Sequence, residues 1–157
     1  MRITWPRTDV LRPLDLEAHR LDPSSAPTII RRLNETDAAA AWMVHEASRE
    51  VGWVAVRTAP LAGRSAGVVR AGLRAPDPIG PIEESMLATS SGDALRLVQR
   101  LALERPGGAR FVVVQASWSW VVGDELVVLS SSSAEPALAE LLITRIDALA
   151  AKIVIDA

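Results

Sequence analysis

The stretch from Arg110 to Val122 reads RFVVVQASWSWVV, and its side chains alternate between two sets. One set consists of Val112, Val114, Ala116, Trp118, Trp120 and Val122. Alternation with a period of two is typical of a β-strand, because successive side chains point to opposite faces of a sheet. We therefore expect this set to face a core, with both indole rings covered by helices. The opposite face of the strand is expected to be free for contact with a partner.

The residues that follow predict a hairpin. Gly123 and Asp124 form a two-residue turn signal, and residues 125–130 supply the return strand. Such a turn fixes the pairing, because a shift of one residue would move every side chain to the other face of the sheet. The predicted pairs are Val122 with Glu125, Trp120 with Val127, and Trp118 with Leu129.

Upstream of this hairpin, the sequence predicts a first helix that starts at Thr36 or Asp37 and ends at Gly52. Thr36 or Asp37 can cap the exposed backbone N–H groups, and Gly52 can adopt the left-handed conformation that often ends a helix. Apolar residues between them recur at helical spacing: Ala40, Met43, Val44, Ala47 and Val51. Another side of this helix carries Trp42, His45, Glu46 and Arg49.

Two further helices are predicted. Ser90 and Asp93 have the spacing of a capping box, and the apolar run after them continues to about Arg105. Ser133 can cap the last helix, in whose first turn Pro136 is tolerated. The inward residues of this last helix are Leu138, Leu141, Leu142, Ile146, Leu149 and Ile153.

Loops and short strands are expected elsewhere. Residues 1–27 form an arm interrupted by prolines, and residues 59–90 form an irregular connection rich in Gly and Pro. Long connections in compact domains often carry function, so the second segment is also a candidate binding edge or lid. Short strands are expected at Leu14–Leu21, Thr28–Leu33, Trp53–Thr58 and Ala66–Leu73, and in the tail at 152–157.

These elements predict a single α+β domain over residues 1–157. A mainly antiparallel sheet, centred on the hairpin at residues 110–130, should be covered on one face by the three helices. A chain of 157 residues can bury enough surface to fold without a disulfide or a metal. With 49% hydrophobic and 23% charged residues, the composition is that of a globular protein.

Composition also excludes several functional classes. The formal net charge of -2 provides no large positive field, so nucleic acid is not expected as a partner. The absence of cysteine excludes disulfides, thiolate nucleophiles and cysteine-ligated metals. No signal peptide and no membrane-spanning stretch can be recognised, so we expect a cytoplasmic protein without membrane contact. Nearly all basic residues are arginine, a bias that indicates a GC-rich, bacterial genome.

Complete metal and catalytic motifs are not found. The two histidines, His19 and His45, stand without the further histidines or carboxylates at ligand spacing that a metal site requires. The Gly-x-Ser-x-Gly pattern of serine hydrolases occurs once, as GRSAG at Gly63–Gly67, but no recognisable histidine and carboxylate partners accompany it, and no glycine-rich phosphate loop occurs. We therefore expect no metal and no cofactor.

Two segments resemble an enzyme family. The segment Ile29–Ala40 reads IIRRLNETDAAA and resembles the opening strand and helix of the Gcn5-related N-acetyltransferases. The segment Glu125–Ala151 is similar to their later strand and helix. Where that family has a glycine-rich loop for acetyl-CoA, this chain has SSSSAEP at Ser130–Pro136, without glycine. The resemblance implies a divergent or degenerate acyltransferase-like fold.

The serine run supplies the alternative, enzymatic hypothesis. A helix N-terminus behind these serines can receive an anion through backbone N–H groups and hydroxyls, with Ser131, Ser132 and Ser133 as the binding residues. A small transferase or hydrolase would then combine the run with His19 or His45. A histidine within hydrogen-bond reach of a serine, backed by a carboxylate, would favour this alternative.

Tryptophan supplies the main functional hypothesis. The chain has five Trp residues, no Tyr and one Phe. Tryptophan is favoured at the centres of interfaces as well as in cores. We therefore expect a small noncatalytic accessory or adaptor domain that binds another protein, or forms a homodimer, through a helix face or a sheet edge. The predicted contact patch is Trp42, His45, Glu46 and Arg49.

Overall fold

The computed structural model describes residues 2–6, 8–17, 37–46, 49–104 and 107–156. In chain order the elements are β1 (Arg2–Thr4), β2 (Leu11–Pro13), β3 (Ala40–Glu46), β4 (Arg49–Pro60), α1 (Ala66–Ala71), β5 (Glu83–Thr89), β6 (Gly92–Glu104), β7 (Arg110–Val122), β8 (Glu125–Ser133), α2 (Pro136–Ala150) and β9 (Val154–Asp156). No helix in these ranges is long and apolar enough to span a membrane.

Seven strands form one antiparallel sheet in the order β2-β3-β4-β8-β7-β6-β5. The meander from β5 to β8 joins the rest of the sheet because β8 pairs with β4. A second, two-stranded sheet pairs β1 with β9. The fold is therefore α+β with an antiparallel sheet, as the sequence predicts.

The predicted hairpin is confirmed. Val122 pairs with Glu125, Trp120 with Val127, and Trp118 with Leu129, which is the register expected from a two-residue turn. The two indole rings are inside the protein, with Trp118 0% and Trp120 1% exposed. The return strand is longer than predicted and ends at Ser133 rather than at Ser130.

Helix α2 covers the face of the sheet to which the two tryptophans point. Its buried side chains are Ala139, Leu142, Ile146, Leu149 and Ala150. The helix starts with Pro136, as predicted, but its N-cap is Glu135, whose side chain makes no capping bond. The prediction that Ser133 caps this helix is wrong, because Ser133 is still in β8. The predicted tail strand is confirmed as β9.

The opposite face of the hairpin is covered as well, so the expectation of a free face is wrong. Leu126 and Val128 are buried there against Leu61. Four partly buried side chains pack against this second cluster: Ala59, Ala66, Val69 and Leu73. The last three belong to α1 and to the turn after it, so α1 and α2 pack on opposite faces of the sheet, whereas three helices were predicted on one face.

Polar anchors hold α1 and its connection on this second face. Arg70 donates from Nε to Ser119 Oγ and from Nη2 to the Ser119 carbonyl, both at 3.0 Å. Burial lowers the pKa of the Arg70 guanidinium because its charge is partly removed from water. Gln99 donates to the carbonyl of Leu73 and accepts from the N–H of Ala75, both at 2.8 Å. Because these bonds satisfy the buried amide of Gln99 with backbone groups of the connection, they fix the path of the connection.

The first predicted helix, from Thr36 or Asp37 to Gly52, is wrong. Residues 40–46 form β3, and β4 begins at Arg49. Both faces of this hairpin are covered: Val44 lies in the cluster under α2, whereas Ala41 lies in another cluster with Leu16. A register shift after Val44 disturbs the alternation further. Apolar residues on both faces therefore fell at helical spacing without forming a helix.

The second predicted helix, from Ser90 to about Arg105, is also wrong, because residues 92–104 form β6. Consecutive residues such as Leu97 and Val98 are both buried, on opposite faces, so the strand does not alternate in polarity. The supposed capping residue Ser90 stands in the turn before β6. Its N–H donates to the carbonyl of Ala151 at 3.0 Å, which ties this turn to the end of α2.

The outcome for the shorter elements is mixed. Trp53–Thr58 lies within β4 and is confirmed as a strand. Ala66–Leu73 was expected to be a strand, but it contains α1, whose N-cap Ser65 accepts a hydrogen bond from Val68 N at 3.3 Å. Leu14–Leu21 is helical at 16–17 and is otherwise non-strand in its described part. Thr28–Leu33 lies outside the described residues.

The two predicted irregular segments contain more structure than expected. The described part of the arm at 1–27 includes two short strands, β1 and β2, whereas one strand was predicted. The connection at 59–90 includes α1 and all of β5, and it is irregular between them at residues 72–82.

Gly52→Ala tests how closely α2 lies on the sheet. A Cβ atom at this position would lie 2.5 Å from Leu142 Cδ2, and Leu142 is itself buried. We expect the free energy of unfolding to fall by about 1–3 kcal/mol in urea denaturation, because the core is overpacked. Gly67→Ala in α1 is the matched control, since the nearest atom to its Cβ would be Ser65 Oγ at 3.9 Å. An equal loss of stability in both variants would contradict the close approach of α2 to the sheet at Gly52.

Candidate functional site

A cleft of about 460 Å³ lies between the N-terminal half of α2 and the outer strands of the large sheet. The cleft is lined by Glu83, Arg96, Val98, Arg100, Val114, Pro136, Ala139, Glu140, Ile143 and Thr144. Strand β6 supplies its central wall, because Arg96, Val98 and Arg100 are alternate residues and point to the same face. Their neighbours in register are Val114 of β7 and Glu83 of β5.

The floor of the cleft is apolar. Val98 and Val114 come from the sheet, and Ala139 and Ile143 come from α2. Ala139 and Ile143 are four residues apart on the helix, so they lie on the same side of it. A ligand in this cleft would therefore place apolar groups against four aliphatic side chains.

Arg96 is held at the cleft wall by a carboxylate of α2. Its Nε donates to Asp147 Oδ1 at 3.1 Å, and Trp118 Nε1 donates to the same oxygen at 2.6 Å. Asp147 thus joins the helix to two neighbouring strands and fixes the direction of the Arg96 side chain. Because an arginine has five N–H donors, this bond leaves others available to a ligand.

The second arginine is paired with an acidic residue of the edge strand. Arg100 Nη1 lies 3.2 Å from Glu83 Oε1, and both side chains are largely exposed. The charges of Arg96 and Arg100 are therefore balanced by Asp147 and Glu83. Within the described ranges, Glu140 is the lining charge for which no ion pair is found.

The groups in the cleft are suited to binding. Thr144 supplies the one hydroxyl of the lining, and that hydroxyl donates to the Glu140 carbonyl at 2.9 Å. The lining carboxylates and guanidinium groups can form hydrogen bonds and ion pairs, while the floor can cover apolar side chains. Elsewhere in the described chain, no group of three His, Asp or Glu side chains is placed to hold a metal ion.

The four residues of the predicted contact patch are not on one helix face. Trp42 and His45 belong to β3, and Glu46 pairs with Arg49 across the β3–β4 hairpin. Trp42 is half-buried and packs edge to face on Trp5, with ring centroids 5.1 Å apart. This ring pair is part of the packing under α2, so Trp42 contributes to the core.

His45 is buried, with 7% of its surface exposed. Its Nδ1 has no hydrogen-bond partner among the described residues, and the same holds for Trp5 Nε1. His45 makes no hydrogen bond to a serine in the described part of the chain. His19, the other candidate of the enzymatic alternative, lies outside the described residues.

Ser131, Ser132 and Ser133 form the end of β8 rather than the first turn of α2. The Ser131 hydroxyl is buried and donates to the carbonyl of Trp53 at 2.7 Å. Ser133 Oγ accepts from the N–H of Glu135 at 3.1 Å. Two of the three hydroxyls are thus already used in local structure.

The cleft itself was missed by the sequence analysis. Arg96 and Arg100 lie within the helix predicted from Ser90 to about Arg105, and on a helix a spacing of four residues would put them side by side on its surface. In a strand the same spacing puts them on one face with Val98 between them. The pattern Arg-x-Val-x-Arg would have indicated this face once the segment was recognised as a strand.

Neither a model of a protein family nor a curated protein matches the sequence of this chain. The fold and the cleft are therefore interpreted from their own geometry.

Asp147→Ala tests the carboxylate that joins α2 to the sheet. Without it, the buried indole N–H of Trp118 loses its acceptor and Arg96 loses its anchor. We expect the free energy of unfolding to fall by about 1–3 kcal/mol, measured by urea denaturation, since an unsatisfied buried donor is costly.

The matched control for Asp147→Ala is Glu140→Ala, which removes an exposed carboxylate from the same helix. It should change the stability by less than about 0.5 kcal/mol. If both variants were equally stable, Asp147 would not anchor the helix.

Proposed function

We propose that this chain is a noncatalytic adaptor domain that binds a short segment of another protein in the cleft between α2 and β5–β7. The observation that carries the proposal is the combination of an apolar floor with Arg96, which Asp147 already holds in place, beside the exposed ion pair of Arg100 and Glu83. Side chains that are fixed before binding lose little conformational entropy when a ligand arrives.

The size of the cleft supports a peptide-sized ligand. Its volume of about 460 Å³ is in the range of pockets that accept small molecules or a few side chains. The cleft is bounded by an exposed edge strand on one side and by a helix on the other. An extended segment could therefore place one or two apolar side chains on the floor and leave its ends in solvent.

Charge indicates which segment fits best. The ion pairs of Arg96 and Arg100 cancel, so the unpaired carboxylate of Glu140 determines the net sign of the lining. A basic residue next to an apolar one would meet Glu140 while the apolar side chain covers Ile143. This sign of charge and the net charge of -2 disfavour a nucleic acid as the ligand.

Selection from a random peptide library tests the proposal. The wild-type chain should enrich peptides in which Lys or Arg accompanies an aliphatic or aromatic residue. Glu140→Lys reverses the unpaired charge, so it should weaken binding of a selected peptide by up to about fivefold. Selection with this variant should favour Asp or Glu instead.

Asp124→Lys is the control for this experiment, because it makes the same change of charge at an exposed turn that does not line the cleft. It should enrich the same peptides as the wild type. The cleft would be ruled out as the binding site if the wild type enriched no peptides. It would also be ruled out if Glu140→Lys enriched the same peptides as the wild type.

A further inference from the structure

The two edges of the large sheet differ in how well they are protected against the addition of another strand. At one edge, β2 has three residues and ends in Pro13, and the strand beside it carries a register shift. Short strands, proline and irregular pairing all discourage the addition of another strand. At the other edge, β5 has seven residues, and all of them pair with β6 without a bulge. In the described chain, β5 has no neighbour on its second side.

The backbone of β5 has hydrogen-bonding groups directed to this open side. The carbonyl of Arg100 in β6 faces the β5 side, because it accepts from the N–H of Ile79, just before β5, at 2.7 Å. Alternate residues of an antiparallel strand bond to the same neighbour, so the even-numbered residues of β6 bond to β5. Their register partners are the odd-numbered residues of β5. The N–H and C=O groups of Glu84, Met86 and Ala88 therefore point away from the sheet.

The sequence of β5 is compatible with pairing to itself. An antiparallel pair centred on Met86 places Glu83 opposite Thr89, Glu84 opposite Ala88, and Ser85 opposite Leu87. No two like charges are then directly opposite, although the strand contains two glutamates. Each glutamate is also paired within its own chain, Glu83 with Arg100 and Glu84 with Arg74. The acidic residues that would normally protect this edge are thus neutralised.

We propose that two copies of the chain form a symmetric dimer by antiparallel pairing of their β5 strands about Met86. Met86 is 58% exposed in one chain, so a large apolar side chain stands in water at the middle of the open edge. In the dimer it lies opposite Met86 of the second copy. The two residues exchange backbone hydrogen bonds and cover each other's side chains.

The symmetry determines how the two subunits are arranged. A two-fold axis perpendicular to the sheet joins two seven-stranded sheets into one and keeps equivalent faces on the same side. Both α2 helices, and both clefts beside them, then lie on one face of the joined sheet. Each cleft borders β5 through Glu83, so the two clefts flank the dimer axis.

Two variants with opposite charges at position 86 test this dimer, and sedimentation velocity measures their oligomeric state. Met86→Lys places two ammonium groups opposite each other, and Met86→Glu places two carboxylates there. Each variant alone should dissociate to the 16.8 kDa monomer, with the dissociation constant raised at least about tenfold, because like charges on directly opposite residues destabilise a strand pair. An equal mixture of the two variants should recover the dimer, since Lys then faces Glu.

Val121→Lys is the control, because it charges another exposed apolar residue, 46% exposed, in β7. It should remain dimeric, and circular dichroism should confirm that all variants are folded. A wild-type chain that stays monomeric at its highest soluble concentration would overturn the proposal. The proposal would also be overturned if both variants remained dimeric, or if a mixture of the two variants failed to form a dimer.

Discussion

The contact between α2 and the two buried tryptophans organises the structure. Trp118 and Trp120 lie side by side on alternate positions of β7, so their rings form a continuous apolar surface for one helix. Asp147 fixes the position of that helix, because its carboxylate accepts hydrogen bonds from both Trp118 and Arg96. Gly52 allows the helix to approach the sheet closely enough for this contact. The cleft exists because α2, held at Asp147, leaves space beside its N-terminal half.

Sequence reasoning succeeded where the side chains on one face of an element are apolar and those on the other face are more polar. The β7–β8 hairpin has a two-residue turn and marked alternation, so both the strands and their register could be predicted. Helix α2 has a single buried stripe, so the helix could be predicted, although its N-cap and its last residue could not. These elements form the centre of the fold. They were enough to establish the α+β class and the antiparallel sheet.

The same reasoning failed where both faces of a strand carry apolar side chains and no polar residues alternate with them, as Gln115, Ser117 and Ser119 do in β7. In β6 and in the β3–β4 hairpin, apolar residues follow one another on opposite faces, and the resulting pattern matches helical spacing. Which faces are covered depends on α1 and on residues distant in the chain, and a local window contains no information about them. The candidate site was lost for this reason, because Arg96 and Arg100 belong to β6. The residues chosen instead, Trp42 and His45, depended on a helix that does not form.

The pairing of β1 with β9 has a consequence for folding order. Arg2 lies opposite Asp156, so these two strands bring together residues from opposite ends of the described chain. Closing so large a loop is entropically costly, and contacts of this kind form late in folding. During synthesis β1 emerges from the ribosome long before its partner strand exists. We therefore expect the small sheet to be the last part of the domain to assemble, after α2 has been placed on the tryptophans.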